Sequence, residues 1–399
     1  MKKQITMKHR HIYLWISFIL TPFSGFAIDM YVPSLPEIQR FMATTTSMVQ
    51  ISMSTYLIGV ALSLTFIGAL SDSIGRKKIM LISSLLYTIA SFSIAHSSSI
   101  FTFWLWRLLQ GICVSGITVP SRAILTDVFD GPNLKKYLSY ATIIWCLGPI
   151  VAPWIGGYFQ HHFGWQSNFY FLTGYGLLAF VLSACVYQET IKQTTTFKIA
   201  LVFKHYKSIL KNAEFKLCSL QCAIIYSLVI IFSSMAPFLM EQQLGYSAID
   251  YGHIALTLGL FWLLGNIFFR LSLKISLTIR PYITLTIALT SSLIMLTLSL
   301  LHIITWWSIV LPACCVVMIG GSLFPAYYSR CIVLFTPQAG SANALVFTFN
   351  MLGTAVSSGI ASALHTSSPT PLASLYTIYI LIGIFLSYSI KREAKNRTY

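Results

Sequence analysis

The chain is poor in charge. Only 9% of its 399 residues are Asp, Glu, Lys or Arg, and just 10 are acidic. Soluble proteins carry about 25% charged residues, so a soluble globule of this composition could not cover its surface. Disorder is excluded by the 56% of residues that are apolar or aromatic, because disordered chains need low hydrophobicity. Nucleic-acid binding would need dense Lys and Arg patches, which are missing. Cysteine motifs are missing too. The eight cysteines (Cys113, Cys146, Cys185, Cys218, Cys222, Cys314, Cys315 and Cys331) fall almost entirely within apolar runs, with no CxxC pair. They read as packing residues, and neither a metal centre nor a disulfide framework is expected. There is no HExxH and no GxxxxGK[ST] loop, so a zinc enzyme and ATP drive within this chain are disfavoured. His161 and His162 are adjacent and would diverge on a helix. No filter-like repeat or ring of charge suggests a channel. No cofactor is expected.

What the chain does have is long apolar runs. A spanning helix needs about 20 mostly apolar residues. Runs near 12–36, 47–70, 78–96, 101–126, 137–159, 168–187, 215–240, 250–270, 280–301, 306–330, 341–364 and 372–390 meet that length. The ninth and tenth run together through His302 and Trp306-Trp307. The first run has a basic start (Lys2, Lys3, Lys8, Arg10) and a small-residue Gly25-Phe26-Ala27, the pattern of a signal peptide. It continues into Asp29-Met30-Tyr31 with more spans beyond, so it is read as a retained span.

The formal charge of +16 becomes a map of orientation. Of 26 Lys and Arg, 24 fall at the termini or in alternate loops, and Arg40 alone lies in the other six loops. Basic residues mark the cytoplasmic side. Both termini are therefore expected in the cytoplasm, and the span count is even. The one long connection, 188–214, combines Phe197, Leu201 and Ile209 with Lys198, Lys204, Lys207 and Lys211, the pattern of an amphipathic helix on the membrane surface. It divides the chain into six-span halves at 1–190 and 215–399, joined by a basic linker at 191–214. That is the layout of a transporter with its site at the midplane. The expected class is all-α, integral to the inner membrane, with twelve spans.

Only Asp29 and Arg107 place charge well inside a run. Charge at the bilayer centre costs about 2.5–3.5 kcal/mol on insertion scales, which makes both functional candidates. Asp29 lies seven residues before Pro36 and Arg107 six after Phe101. Both thus sit about 10 Å below the outer helix ends, at one depth, and can line one cavity. Burial disfavours the carboxylate form of Asp29 and a nearby guanidinium favours it; a balance makes it a proton carrier. The alternatives are an idle interfacial Asp29 and an Arg107 that anchors backbone carbonyls. Gln110, one turn on, shares the polar face.

The Gly68-Ala69-Leu70-Ser71-Asp72-Ser73-Ile74-Gly75-Arg76-Lys77-Lys78 stretch resembles the signature loop of the major facilitator superfamily. The resemblance implies that Gly68 and Gly75 shape a tight turn. It also implies that Asp72 and Arg76 form a cytoplasmic latch with Arg122 and Asp127, holding the halves together in the outward-open state. Thr126 stands where relatives commonly carry a basic residue. Arg107-Leu108-Leu109-Gln110-Gly111 resembles the family's fourth-span motif, whose Arg takes part in proton coupling. Gly148-Pro149-Ile150-Val151-Ala152-Pro153-Trp154-Ile155-Gly156-Gly157 resembles its antiporter motif, with Ala152 replacing a glycine. Gly148, Pro149, Pro153, Gly156 and Gly157 carry that likeness, which implies an exporter. Ala27-Ile28-Asp29-Met30-Tyr31-Val32-Pro33-Ser34-Leu35-Pro36, Phe163-Gly164-Trp165-Gln166-Ser167-Asn168-Phe169 and Ala339-Gly340-Ser341-Ala342-Asn343-Ala344-Leu345 resemble the Bcr/CflA drug-resistance branch, although Gln166 replaces a usual Arg. The second half's latch loop, Arg270 to Arg280, is badly degraded.

The expected activity is proton-coupled export of drugs or small amphipathic metabolites by alternating access. A proton-coupled uptake symporter and a dedicated siderophore or amino-acid exporter are the alternatives. The expected partners are a small-molecule substrate, protons and the lipid bilayer, with no nucleic acid, and the chain is expected to act as a monomer. Candidate cavity residues are Tyr31, Gln110, Tyr226, Trp262, Asn266 and Asn350, each with a plain alternative in packing or interhelical hydrogen bonding.

Overall fold

The computed structural model describes residues 7–191, 196–271, 279–364 and 366–396. Lys2, Lys3, Lys192, Lys274, Arg397 and most of the Arg270–Arg280 loop lie outside them. Twelve helices are long and apolar enough to cross a membrane, and no strand occurs among the described residues. The first six are α1 (Arg10–Phe41), α2 (Thr46–Ile74), α3 (Arg76–Ala95), α4 (Ile100–Val128), α5 (Gly131–Phe163) and α6 (Gln166–Val186). A short helix, α7 (Ile199–Leu210), follows. The remaining six are α8 (Ala213–Gln243), α9 (Ala248–Leu271), α10 (Arg280–Leu300), α11 (Trp306–Leu334), α12 (Thr336–Ser362) and α13 (Thr370–Glu393). We call the end carrying both termini the basic end and the opposite one the far end.

Several helices outrun the apolar stretches that mark them. α5 begins at Gly131, six residues before its apolar run, because hydrogen-bonded helix propagates through exposed Lys135 and Lys136 once nucleated. The ninth and tenth runs are separate helices. Their break is made at His302, whose φ of +58° is left-handed, and by a capping box of Thr305 and Ser308 that starts α11.

The two halves repeat one packing device. α2 crosses α4 where Gly59 meets the Leu108 carbonyl and Gly111 meets that of Tyr56; α9 crosses α11 where Gly265 meets the Met318 carbonyl and Gly321 that of Trp262. In lipid, helices associate by such close van der Waals approach. Between the halves, α2 packs along α12 and α5 along α9. α7 lies under α2, its Tyr206 hydroxyl donating to the Thr65 carbonyl at 2.7 Å. Tyr206 and Ile209 are its buried side, while Phe197, Leu201 and Phe203 are exposed apolar residues, as a surface-lying helix requires.

Polar bridges between the halves gather at the far end. Gln50 donates to the Ser234 carbonyl at 2.8 Å, Gln242 to the Gln39 amide oxygen at 2.8 Å, and Ser47 to the Ser362 carbonyl. Arg40 faces Glu241 at 3.9 Å. At the basic end, no ion pair among the described residues joins the halves.

Candidate functional site

The site begins with a broken helix. α1 is interrupted at Pro22, resumes as Phe23–Asp29, turns through a 3-10 segment at Val32–Ser34 and ends as Leu35–Phe41. Pro33 and Pro36 lack the N–H that would continue the α-helical ladder. The turn at Met30 and Tyr31 leaves the Ala27 carbonyl to Arg107, whose Nη1 donates to it at 3.0 Å.

Arg107 is fully buried. Its Nη1 also donates to Gln110 Oε1 at 2.5 Å, and Gln110 donates onward to Ser91 Oγ at 2.8 Å. The guanidinium lies 4.2 Å from the Tyr31 ring centre and 4.3 Å from that of Tyr56. These contacts compensate a desolvated cation with aromatic faces and a carbonyl. Asp29 ends the middle piece of α1, 5% exposed, and its Oδ2 has no hydrogen-bond partner. No ion pair joins it to Arg107 among the described residues. The two are neighbours without a direct ion pair. Arg107 and Tyr56 of the first half and Tyr226 of α8 and Tyr251 of α9 are all within electrostatic range of Asp29.

The glycine- and proline-rich stretch of α5 sits between the halves. On one side, Gly148 packs on the Pro22 carbonyl, Pro149 on Gly25, and Gly156 on the Met30 carbonyl directly after Asp29. On the other, Gly157 packs on the Ala248 carbonyl, and Gly252 approaches the Pro153 carbonyl. α5 thus couples the Asp29 turn to the second half through backbone contacts. Gly156→Val forces α5 off Met30, and overpacking of this kind costs about 1–3 kcal/mol. A lowered midpoint of thermal unfolding in detergent is the expected result; an unchanged midpoint would contradict the contact.

At the basic end Arg76 holds Asp127 at 2.5 and 3.2 Å and Asp72 at 3.2 Å. Thr190 also donates to Asp127, at 2.7 Å. The acid at the start of α3 is Glu189, which accepts from the Lys77 N–H at 3.1 Å. Gly75 has φ +106°, and a Cβ there would lie 2.6 Å from Glu189. Gly68 faces open space, so no contact here requires it. Arg122 stands apart from this cluster. It precedes Asp127 by five residues, which sets the two about 140° apart around a helix. It makes no ion pair with Asp127, which Arg76 occupies. The second half carries a pair of its own, Arg330 with Glu214 at 2.5 Å.

Two expected cavity residues prove inaccessible. Tyr31 and Gln110 are fully buried around Arg107 and present no surface to a ligand in this conformation. Asn266 turns its amide to the Trp262 carbonyl of its own helix at 3.0 Å. Asn350 is 1% exposed; its Oδ1 is unpartnered. Tyr226 and Trp262 join a run of rings. Tyr226 meets Trp262 at 6.0 Å and Phe324 at 6.2 Å, Phe324 stacks on Tyr328 at 6.1 Å, Tyr328 meets Phe347 at 5.8 Å, and Phe347 meets Trp145 of α5 at 6.2 Å. Sequence reasoning missed Tyr56, Ser91 and Tyr251. Nothing in the pattern separates them from other span Tyr and Ser; their roles follow from what Arg107 and Asp29 touch.

A model of the Major Facilitator Superfamily matches residues 17–358. The multidrug resistance protein MdtL of Klebsiella pneumoniae subsp. pneumoniae is 27% identical over 95% of this chain and 93% of its own length. MdtL of Shewanella oneidensis is 32% identical over 64% of each chain. An uncharacterized MFS-type transporter of Bacillus subtilis, YdgK, is 28% identical over 92% of each. Among solved structures, a bacterial homolog of the human lysosomal transporter Spinster, inward-facing and unoccupied, aligns with TM-score 0.73 and 14% identity over 97% of this chain and 98% of that one. A D-xylose-proton symporter aligns with TM-score 0.73 and 15% identity over 94% and 97%.

Proposed function

Because the chain belongs to the Major Facilitator Superfamily, and so is a multi-pass transporter of the inner membrane rather than an enzyme, we propose that it exports drugs or small amphipathic molecules in exchange for protons. The names of the MdtL relatives support the drug cargo. The observation that carries proton exchange is Asp29: a buried carboxyl with an unpartnered oxygen, within electrostatic range of Arg107 in its own half and of Tyr226 in the other. An unpaired charge there is costly, whereas a protonated carboxyl is neutral. Proton and substrate exclude one another from the cavity, and displacement of this kind demands no fixed ligand geometry. Arg107 holds the Asp29 turn, and the glycine face of α5 transmits it to α9. Asp72, Arg76 and Asp127 stay within the first half while the far end is closed; in the opposite state Asp72 is free to reach the second half. Both termini lie in the cytoplasm, and the exporter works as a monomer in the bilayer. The Bcr/CflA branch is the reading that the first-span stretch from Ala27 to Pro36 supports.

One proton falling through 100 mV yields about 2.3 kcal/mol, and one pH unit adds about 1.4 kcal/mol. A neutral cargo exchanged one-to-one can thus be concentrated roughly 500-fold. The test is chloramphenicol accumulation in inverted vesicles. The expected result is uptake when the lumen is acidified and its collapse with a protonophore. Release under the same gradient would instead mark a symporter.

A further inference from the structure

Arg122 is the charged residue the latch leaves over. It lies inside α4, six residues before Val128, about 9 Å from the helix end. It is half-buried and makes no hydrogen bond or ion pair among the described residues. Its electrostatic neighbours are Tyr328, on the opposite half, and Cys146 of α5. Cys146 in turn neighbours Tyr226, which neighbours Asp29. Arg122 and Asp29 thus stand at two ends of one wall, with Tyr226, Phe324 and Tyr328 between them. Fifteen residues separate Arg122 from Arg107, about 22 Å along the helix. A small molecule cannot touch both ends at once. Arg122 therefore meets a ligand at the basic mouth, before the ligand reaches the proton site.

A half-buried span guanidinium without a hydrogen bond or ion pair among the described residues, beside Tyr328 of the opposite half, is a ready anion receptor. Its planar fork matches a carboxylate in two parallel hydrogen bonds. The aromatic run beside it offers faces for an apolar body. We propose that Arg122 is a cargo-selecting residue at the cavity entrance, favouring substrates that carry a carboxylate or similar anion on an aromatic body. This rests on the exporter reading for its direction, and on the geometry alone for its ligand.

The test uses dansylglycine and dansylglycinamide, which differ in charge and little in shape. Binding to the purified full chain in detergent is read by energy transfer from the protein's tryptophans, with no proton gradient. The wild type is expected to bind the acid about tenfold more tightly than the amide, the scale of one charge-assisted hydrogen-bond pair. Arg122→Gln should remove that preference by weakening the acid alone, and Arg122→Lys should restore part of it. Equal wild-type affinity for the two probes, or binding of neither, overturns the proposal. So does an Arg122→Gln loss that falls on both alike, which would make Arg122 a closing contact of the other conformation. Because no gradient is used, failure of proton-driven transport in vesicles would leave this preference intact, so the two readings fail separately.

Discussion

Asp29→Asn abolishes proton-driven accumulation of chloramphenicol in inverted vesicles while leaving the protein folded. The substitution keeps the size of the side chain and removes only its ability to carry a proton. The wild-type carboxyl is 5% exposed, with one oxygen unpartnered, so a neutral amide at that position asks no more of its surroundings than a protonated acid. Unfolding in detergent should be unchanged or slightly delayed. Accumulation should fall to the level of simple equilibration, and counterflow of chloramphenicol without a gradient should survive. Retained gradient-driven accumulation would remove Asp29 from coupling.

Arg107→Met should damage both transport and stability. Methionine has similar reach and no donors. It would leave the Ala27 carbonyl and the Gln110 oxygen unpaired, at roughly 1–3 kcal/mol for each buried polar group. It would also remove a cation from two aromatic faces, worth up to about 2 kcal/mol when desolvated. The expected loss is on the order of 3 kcal/mol, partly offset because no cation has to be desolvated. Arg107→Lys should fall between, since an ammonium cannot span the Ala27 carbonyl, Gln110 and both rings as a planar fork does. Thermal unfolding in detergent measures the loss, and vesicle uptake measures the activity. An Arg107→Met protein as stable as the wild type would contradict the anchoring described for the α1 turn.

Much of the architecture is legible in the sequence because the bilayer imposes it. Length and hydropathy mark twelve spans, and their even number follows from the distribution of Lys and Arg. The site is legible only in outline. Asp29 and Arg107 stand out by being charged where charge is costly, and counting residues along two helices sets them at one depth. That they make no direct ion pair is not readable, because it follows from the broken path of α1 and from the carbonyl that the turn gives to Arg107. The partners of that guanidinium are a backbone group and two rings, and a chain with 21 tyrosines offers no mark for Tyr56. The resemblance puts Arg122 and Asp127 in one latch; Arg76 holds Asp127, and helical geometry turns Arg122 away from it. Asp72 and Arg76 do pair, but across the Gly75 turn between two helices rather than along one helix face.

The central claim is that proton and substrate compete for one site at Asp29. Its most direct test is the proton balance of binding. Chloramphenicol is added to weakly buffered, detergent-solubilised protein, and the pH is followed with an indicator dye. The account predicts that the wild type releases protons as the drug binds, up to about one per molecule at acidic pH and less as pH rises, and that Asp29→Asn releases none. Drug binding with no release from the wild type, or equal release from the Asn variant, would contradict it.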